Sequence, residues 1–447
     1  MASVGTSRKA RVLAHAESEE IFAVRIRRIW QFLRRQPASF WLVNLYMFFE
    51  YVRPQSVWPA IDILPWGLVT LLVTLLAAIF EGRVFKRTTL IADPLLLLFS
   101  VVVVLSSFAA VYPQDAFAGW EVYFSWVLVY VLITSTVTSE KRFFVFMLGF
   151  LLYSFKMSQH GFRSWALNGF AFRDWGVTGG PGWFHNSGEF GIQMCIFIPL
   201  SVEFIIALRR DWTRLTRWFF YLMPITAIGG VVASSSRGAV LGAAAVGLWW
   251  VIRSKQRFRT LMAVAVLAVM TWTVVPSEQK ARFETMGEDD TSTARIDRWK
   301  DGIEIAQRYP LFGIGYENWQ RYYGGRLSHN IFVEAAAELG FTGLFAFVTL
   351  IVATFVINAK TRRLLRRART PTPFLIHMAH GLDGALIGYM VSGFFVTVLF
   401  YPYFWVNLAM SVSLHVAARR APGKAPVPRH PRDLSQGQRR TQPVLPG

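Results

Sequence analysis

Apolar runs of about 17–25 residues recur along most of the chain, and that is the length an α-helix needs to cross the hydrocarbon core of a bilayer. They fall near 39–56, 65–81, 93–112, 119–138, 143–157, 190–208, 216–234, 237–253, 258–276, 331–357, 380–400 and 402–418. The expected fold is therefore all-α: a polytopic membrane protein of about twelve transmembrane helices. Composition agrees, since 53% of the 447 residues are hydrophobic and 15% aromatic. One cysteine, Cys195 inside an apolar run, excludes an internal disulfide and a CxxC metal site and reads as small apolar filler.

A net charge of +20 raises the question of nucleic acid, but its distribution answers otherwise. Every second connection is basic: "EGRVFKR", "SEKR", "RRDWTRLTR", "RSKQRFR" and "KTRRLLRRAR", together with both terminal segments. This set holds 34 of the 47 Lys and Arg; the other connections hold the remaining 13. The positive-inside rule then expects both termini in the cytoplasm, and the charge reads as a topology signal facing anionic lipid.

Residues 1–36 read as a basic cytoplasmic tail with no cleavable leader, ending in an amphipathic stretch at 18–36. There Phe22, Ile26, Ile29, Trp30 and Leu33 share a face, as for a helix lying on the inner membrane surface. Residues 37–418 form the membrane domain, and 419–447, rich in Pro, Arg and Gln, read as a disordered basic tail. No internal repeat or half-to-half symmetry stands out.

Two outer loops are long. The first, 157–189, is dense in Gly, Trp and Phe, as interfacial belt residues or as sugar-stacking platforms. The second, 277–330, lies between the ninth and tenth spans and is nearly neutral. In it "STARIDRWKDGIEIAQRYP" reads as a helix capped by Thr291 or Ser292 and ended by Pro310, with Arg295 and Arg298 on one side. "LFGIGYENW" then turns through Gly313 and Gly315.

Three polar positions fall on the outer side. His329 stands where the long loop re-enters the membrane, Arg237 sits at the outer turn between the seventh and eighth spans, and Arg295 lies on the loop helix. A guanidinium matches phosphate oxygens and stays charged, so arginines can neutralise a departing diphosphate. Histidine has the intrinsic pKa to take a proton from a sugar hydroxyl, and Asn330 can orient it or hold a sugar. Each residue has a plainer reading: His329 as an interfacial cap, Arg237 as a snorkelling side chain, Arg295 and Arg298 as solvated charges. His185, Asn186 and Glu189 open the sixth span as a weak cluster; Glu203 reads as a partner of Arg209 or Arg210, and Lys156 and His160 as snorkelling. "GEDDT" at 287–291 reads as an acidic helix start before a metal site. No ligand-spaced metal cluster is expected, and no cofactor.

Taken in order, "SSSRGA", "TARIDRWKDGIEIAQRYPLFGIGYENW" and "SHNIFVEAAAELGFTGL" resemble the shared domain of the O-antigen ligase/polymerase superfamily. "EYVRPQ" at 50–55 and "FHNSGEFG" at 184–191 look like it too, and the resemblance is good over 180–350. It implies a GT-C-like, metal-independent, inverting glycosyltransferase of the bacterial cytoplasmic membrane with an extracytoplasmic active site. Its donor would be an undecaprenyl-diphosphate-linked glycan, its acceptor a hydroxyl on a glycan, lipid or protein. His329 matches the family's histidine, which implies activation of the acceptor; Arg237, Arg295 and Arg298 match diphosphate-binding arginines. Asn330, Asn186 and Glu189 are weaker substrate-binding candidates. The first outer loop is longer and more aromatic than a minimal member needs, which leaves the acceptor open. Ligase and polymerase share donor and chemistry and are not separated by sequence. A lipid-linked sugar transporter or flippase would place polar residues mid-bilayer, and a scaffold would tolerate loss of His329.

Overall fold

The computed structural model describes residues 20–171, 176–180, 182–274, 277, 280, 290–368 and 372–421. Most of the terminal tails and the acidic segment preceding residue 290 lie outside these residues. The described chain is helical, without a strand. In order run α1 (Ile26–Leu33), α2 (Ala38–Tyr51), α3 (Pro54–Val57), α4 (Trp66–Phe80), α5 (Ala92–Phe108) and α6 (Pro113–Ala118). Then come α7 (Trp120–Thr136), α8 (Glu140–Leu167), α9 (Ser187–Leu208), α10 (Arg214–Ala233), α11 (Arg237–Arg253) and α12 (Arg257–Val274). The last are α13 (Asp290–Arg308), α14 (Trp319–Tyr322), α15 (Ile331–Arg366), α16 (Pro373–Gly393) and α17 (Pro402–Arg420). Among the described residues, five helical stretches are long and apolar enough to cross a membrane by length and composition: 113–136, α9, α10, α15 and α16. The protein is a helical membrane protein.

Local sequence sets the helix starts. Ser139, Asn186, Thr213, Ser236 and Asn330 each accept a backbone N–H of the following turn, meeting donors that have no intrahelical partner. Small residues let α9, α11 and α16 approach closely. A Cβ on Gly388 would lie 3.0 Å from the Cys195 carbonyl oxygen, and one on Gly242 would overlap the Ser392 hydroxyl. Cys195 itself is buried, with Sγ 3.0 Å from the Ala239 carbonyl oxygen.

The connections sort onto two ends. At one end Ser39 donates from N and Oγ to Glu81 at 3.0 and 2.6 Å, Arg142 Nε to Gln36 Oε1 at 2.8 Å, and Trp212 Nε1 to the Phe22 carbonyl at 2.9 Å. This is the end of the basic connections. At the other, Val177 N donates to Ala233 O at 2.8 Å, Val111 N to Ile314 O at 2.8 Å and Trp126 Nε1 to Phe400 O at 2.8 Å.

Three local expectations change. Val24 turns the chain through φ +57, so the amphipathic stretch is not one helix: residues 20–22 are helical and a second helix starts at Ile26, with Ile26 and Trp30 exposed. The first outer loop begins after Leu167, because α8 continues ten residues beyond the apolar run. The run 380–400 is not one helix: α16 ends at Gly393, and 394–401 is irregular.

Helix α15 breaks at Gly340 (φ +71, ψ −176). A Cβ there would lie 2.6–2.7 Å from the backbone of Pro310 and Leu311, and the freed Phe341 N–H donates to Pro310 O at 2.8 Å. The segment 310–319 thereby clasps the half-helix 331–339. Ile314 N donates to Ala337 O at 2.9 Å and Gly315 N to Glu338 O at 3.1 Å. The Glu338 carboxylate accepts from Trp319 N at 2.9 Å and Glu317 N at 3.2 Å. Gly313 and Gly315, both at positive φ, are structural parts of this clasp.

Candidate functional site

His329 sits immediately before the half-helix, and its neighbours are tied down on both sides. Asn330, almost fully buried, caps the helix by accepting from Phe332 N at 2.9 Å and Val333 N at 3.2 Å. On the loop side, α13 holds the preceding backbone. Arg298 Nη1 donates to Leu327 O at 3.0 Å and Trp299 Nε1 to Ser328 O at 3.2 Å. The His329 N–H donates to Thr397 Oγ1 at 2.8 Å. His329 has φ +51, a left-handed conformation that costs a β-substituted residue about 1–3 kcal/mol and persists only when surroundings over-determine it. Those three restraints supply that over-determination.

Burial pushes the His329 pKa down to about 4, helped by the charges of Arg295 and then Arg298. Its imidazole is therefore neutral at pH 7 and can accept a proton. The structure brings His329, Arg295 and Arg298 together. Arg298 has its own pKa lowered, first by burial and then by Arg326, and its Nε has no hydrogen-bond partner among the described residues.

Arg237 opens α11 at the same end of the bundle. Ser235, two residues before it, has φ +52. Arg237 and Ser235 line a cavity of about 260 Å³ whose other walls are almost wholly apolar, among them Ile198, Val231, Val240, Leu267 and Trp272. His329 does not line this cavity. The link between them is the irregular segment after α16. A Cβ on Gly238 would lie 3.0 Å from Phe395, Trp299 packs edge-on against Phe394 at 5.0 Å, and Thr397 holds the His329 backbone. Sequence reading missed this segment because "FFVTVLFY" is as apolar as the helix before it.

Asn186 and Glu189 make a capping box at the start of α9. Asn186 Oδ1 accepts from Gly188 N at 2.8 Å and Glu189 Oε2 from Asn186 N at 3.0 Å. A Cβ on Gly188 would touch Val396 at 3.3 Å, so this cap also packs on 394–401. His185, the residue before the cap, is exposed, with Nδ1 2.6 Å from Gly182 O. Glu334 also went unread. It is buried on the half-helix, with Oε2 lacking a hydrogen-bond partner among the described residues. A carboxylate five residues after a histidine in an apolar run was the available signal. Among the described residues, no group of three or more His, Cys, Asp or Glu is placed to hold a metal ion.

Glu203 does not pair with Arg209 or Arg210. Its fully buried carboxylate receives Arg253 Nη2 and lies 2.7 Å from His377 Nδ1, side chains brought from α11 and α16.

Comparison with known proteins matches the O-antigen ligase family over residues 219–348. That range holds Arg237, α13, the clasp and the His329 half-helix. The chain is also similar to the exopolysaccharide production protein ExoQ of Rhizobium meliloti (strain 1021), at 32% identity over 106 residues. That match covers 20% of this chain and 24% of the ExoQ chain. Over residues 219–348 the chain is thus similar to the O-antigen ligase family, and it spans about a quarter of the length of the curated relative it matches.

Proposed function

We propose that this protein is a glycosyltransferase of cell-surface polysaccharide synthesis, moving a glycan from an undecaprenyl-diphosphate carrier to an acceptor hydroxyl. The observation that carries the reading is the pairing of an apolar cavity with Arg237 at its polar end, on the same bundle end as a neutral His329 flanked by Arg295 and Arg298. A polyprenyl chain suits the apolar walls and a diphosphate suits the guanidinium. The twelve helices α2, α4, α5, α7–α12 and α15–α17 are taken as the spans, with both termini cytoplasmic and this end facing outward, as the basic connections require.

In the reaction, the acceptor oxygen attacks the anomeric carbon as its proton passes to His329. The bond from that carbon to the diphosphate oxygen breaks, the electron pair leaves with undecaprenyl diphosphate, and configuration inverts. Arg237, Arg295 and Arg298 stabilise the charge that develops on the leaving group, without recourse to a metal. A bound diphosphate also offsets the cationic field on His329, raising its proton affinity at the moment it must act as a base. Trp299 and Thr397 hold the backbone that carries the imidazole.

The acceptor decides between ligase and polymerase. The similarity to a protein named for exopolysaccharide production favours a growing polysaccharide as acceptor, so polymerase is the second reading. The test compares cells lacking the protein, complemented with wild type or with Arg237→Gln at equal membrane abundance. The expected result is loss of surface glycan with accumulation of its lipid-linked form on the outer leaflet. Long accumulated glycans indicate a ligase and single repeats a polymerase. Accumulation on the inner leaflet would instead indicate a flippase.

A further inference from the structure

Arg53 lies at the same end of the bundle and has no part in the chemistry above. It follows α2 and precedes Pro54, yet it adopts φ +49, ψ +60. A residue before proline is normally extended, so a left-handed arginine here is held against its own preference. Its guanidinium lies against the backbone of Gly182, where a Cβ would overlap Cζ, Nε and Nη1. Gly182, at φ +87, leaves room for the arginine in two ways: it has no side chain, and it turns the first outer loop over the guanidinium.

The donors held there are poorly used. Arg53 Nε is buried and has no hydrogen-bond partner among the described residues. Glu50 is the ion-pair partner of Arg53, but its Oε1 stands 3.7 Å from Nη2, beyond hydrogen-bond distance, and already receives the Trp183 indole N–H. Leaving a guanidinium donor unmet in a half-buried place is costly unless something else meets it. Beside it stands the half-exposed Trp183, propped edge-on by Tyr401 at 5.0 Å and against Trp126 at 5.4 Å. His185 is exposed on the same turn. A fixed guanidinium fork next to an aromatic ring suits an oxyanion attached to a sugar ring.

We propose that Arg53, with Trp183 beside it, is an oxyanion-binding site distinct from the Arg237–Arg295–Arg298 set, taking a carboxylate- or phosphate-bearing part of the glycan substrate. The assignment to a glycan rests on the transferase reading. The oxyanion site itself does not.

The test uses the purified full chain in phosphatidylcholine nanodiscs, titrated with a hexuronate tetrasaccharide, a neutral glucose tetrasaccharide and inorganic pyrophosphate. Wild type, Arg53→Gln, Arg53→Lys and Arg237→Gln are compared by tryptophan fluorescence and thermal unfolding. The hexuronate chain is expected to bind wild type, with Kd rising at least tenfold in Arg53→Gln and less in Arg53→Lys, and unchanged in Arg237→Gln. The neutral chain is expected to bind more weakly and to ignore Arg53. If pyrophosphate alone needs Arg53, the oxyanion is the carrier's phosphate, and the site stands with that source. If neither anion's affinity changes in Arg53→Gln, or Arg53→Gln and Arg53→Lys only lower the unfolding temperature, Arg53 is a structural brace and the proposal fails. A failed transferase reading shows separately, as normal surface glycan in Arg237→Gln cells.

Discussion

The two ends of the bundle use the same residue types in opposite ways. At the end of the basic connections, each buried carboxylate is matched. Glu203 meets Arg253 and His377, and Asp383 meets Arg362 and, at 2.9 Å, Asn358. These pairs tie α9, α11, α15 and α16 together. At the other end, beside the Arg53–Glu50 and Arg321–Asp115 pairs, Arg295 and Arg298 bear on a histidine. Arg298 donates to a backbone carbonyl, and with Arg295 it opposes protonation of His329. Backbone strain follows the same division: Arg53, Phe170, Ser235, Glu317 and His329 have positive φ at this end, and only Val24, among the described non-glycine residues, at the other. Matched charges hold helices together; a cationic field around a neutral histidine on a strained backbone suits an anionic ligand.

The strongest way to break this contrast is to remove a poised charge. Arg237→Gln should cut transfer by about 10²–10³-fold, the usual loss for one donor to a developing charge, while costing less thermal stability than loss of a buried ion-pair partner. A purified assay with lipid-linked donor reads the first and an unfolding curve in detergent the second. Glu203→Ala should do the reverse: it strands Arg253 and His377 and should cost about 3–5 kcal/mol of stability. The fraction that still folds should keep its specific activity.

Smaller effects sharpen the comparison. Asn330→Ala removes the helix cap and should cost about 1 kcal/mol in the unfolding curve, with activity falling through displacement of His329. Arg298→Gln removes a positive charge that disfavours the protonated imidazole. The His329 pKa then rises from about 4, so the acid limb of the pH–kcat/KM profile should move to higher pH. An unmoved limb would mean that another group sets it.

Much of the fold is legible because a bilayer-length apolar run has few alternatives, and the helices follow the expected runs to within a few residues in most cases. The departures have physical causes. At 394–401 an apolar segment leaves the helix without a polar marker, and only Gly393 hints at the end. Gly340 breaks α15 because Pro310 and Leu311 press on it, a contact from thirty residues away that no local pattern announces. Glu203 draws its partners from remote helices and not from neighbouring arginines for the same reason. The polar positions His329, Arg295 and Arg298 are visible in sequence as charges beside apolar runs, and the structure places them together. Thr397, Trp299 and the Glu338 clasp, which hold them there, are not visible, since each acts through a backbone group of a distant segment.

The most direct measurement concerns His329. Cells lacking the protein would be complemented with wild type or His329→Ala at equal membrane abundance, and surface glycan and undecaprenyl-linked glycan would be quantified side by side. The prediction is that His329→Ala loses surface glycan and accumulates lipid-linked glycan on the outer leaflet. Surface glycan equal to wild type would show that His329 is only a cap at the membrane edge, and the proposed transfer chemistry would be wrong.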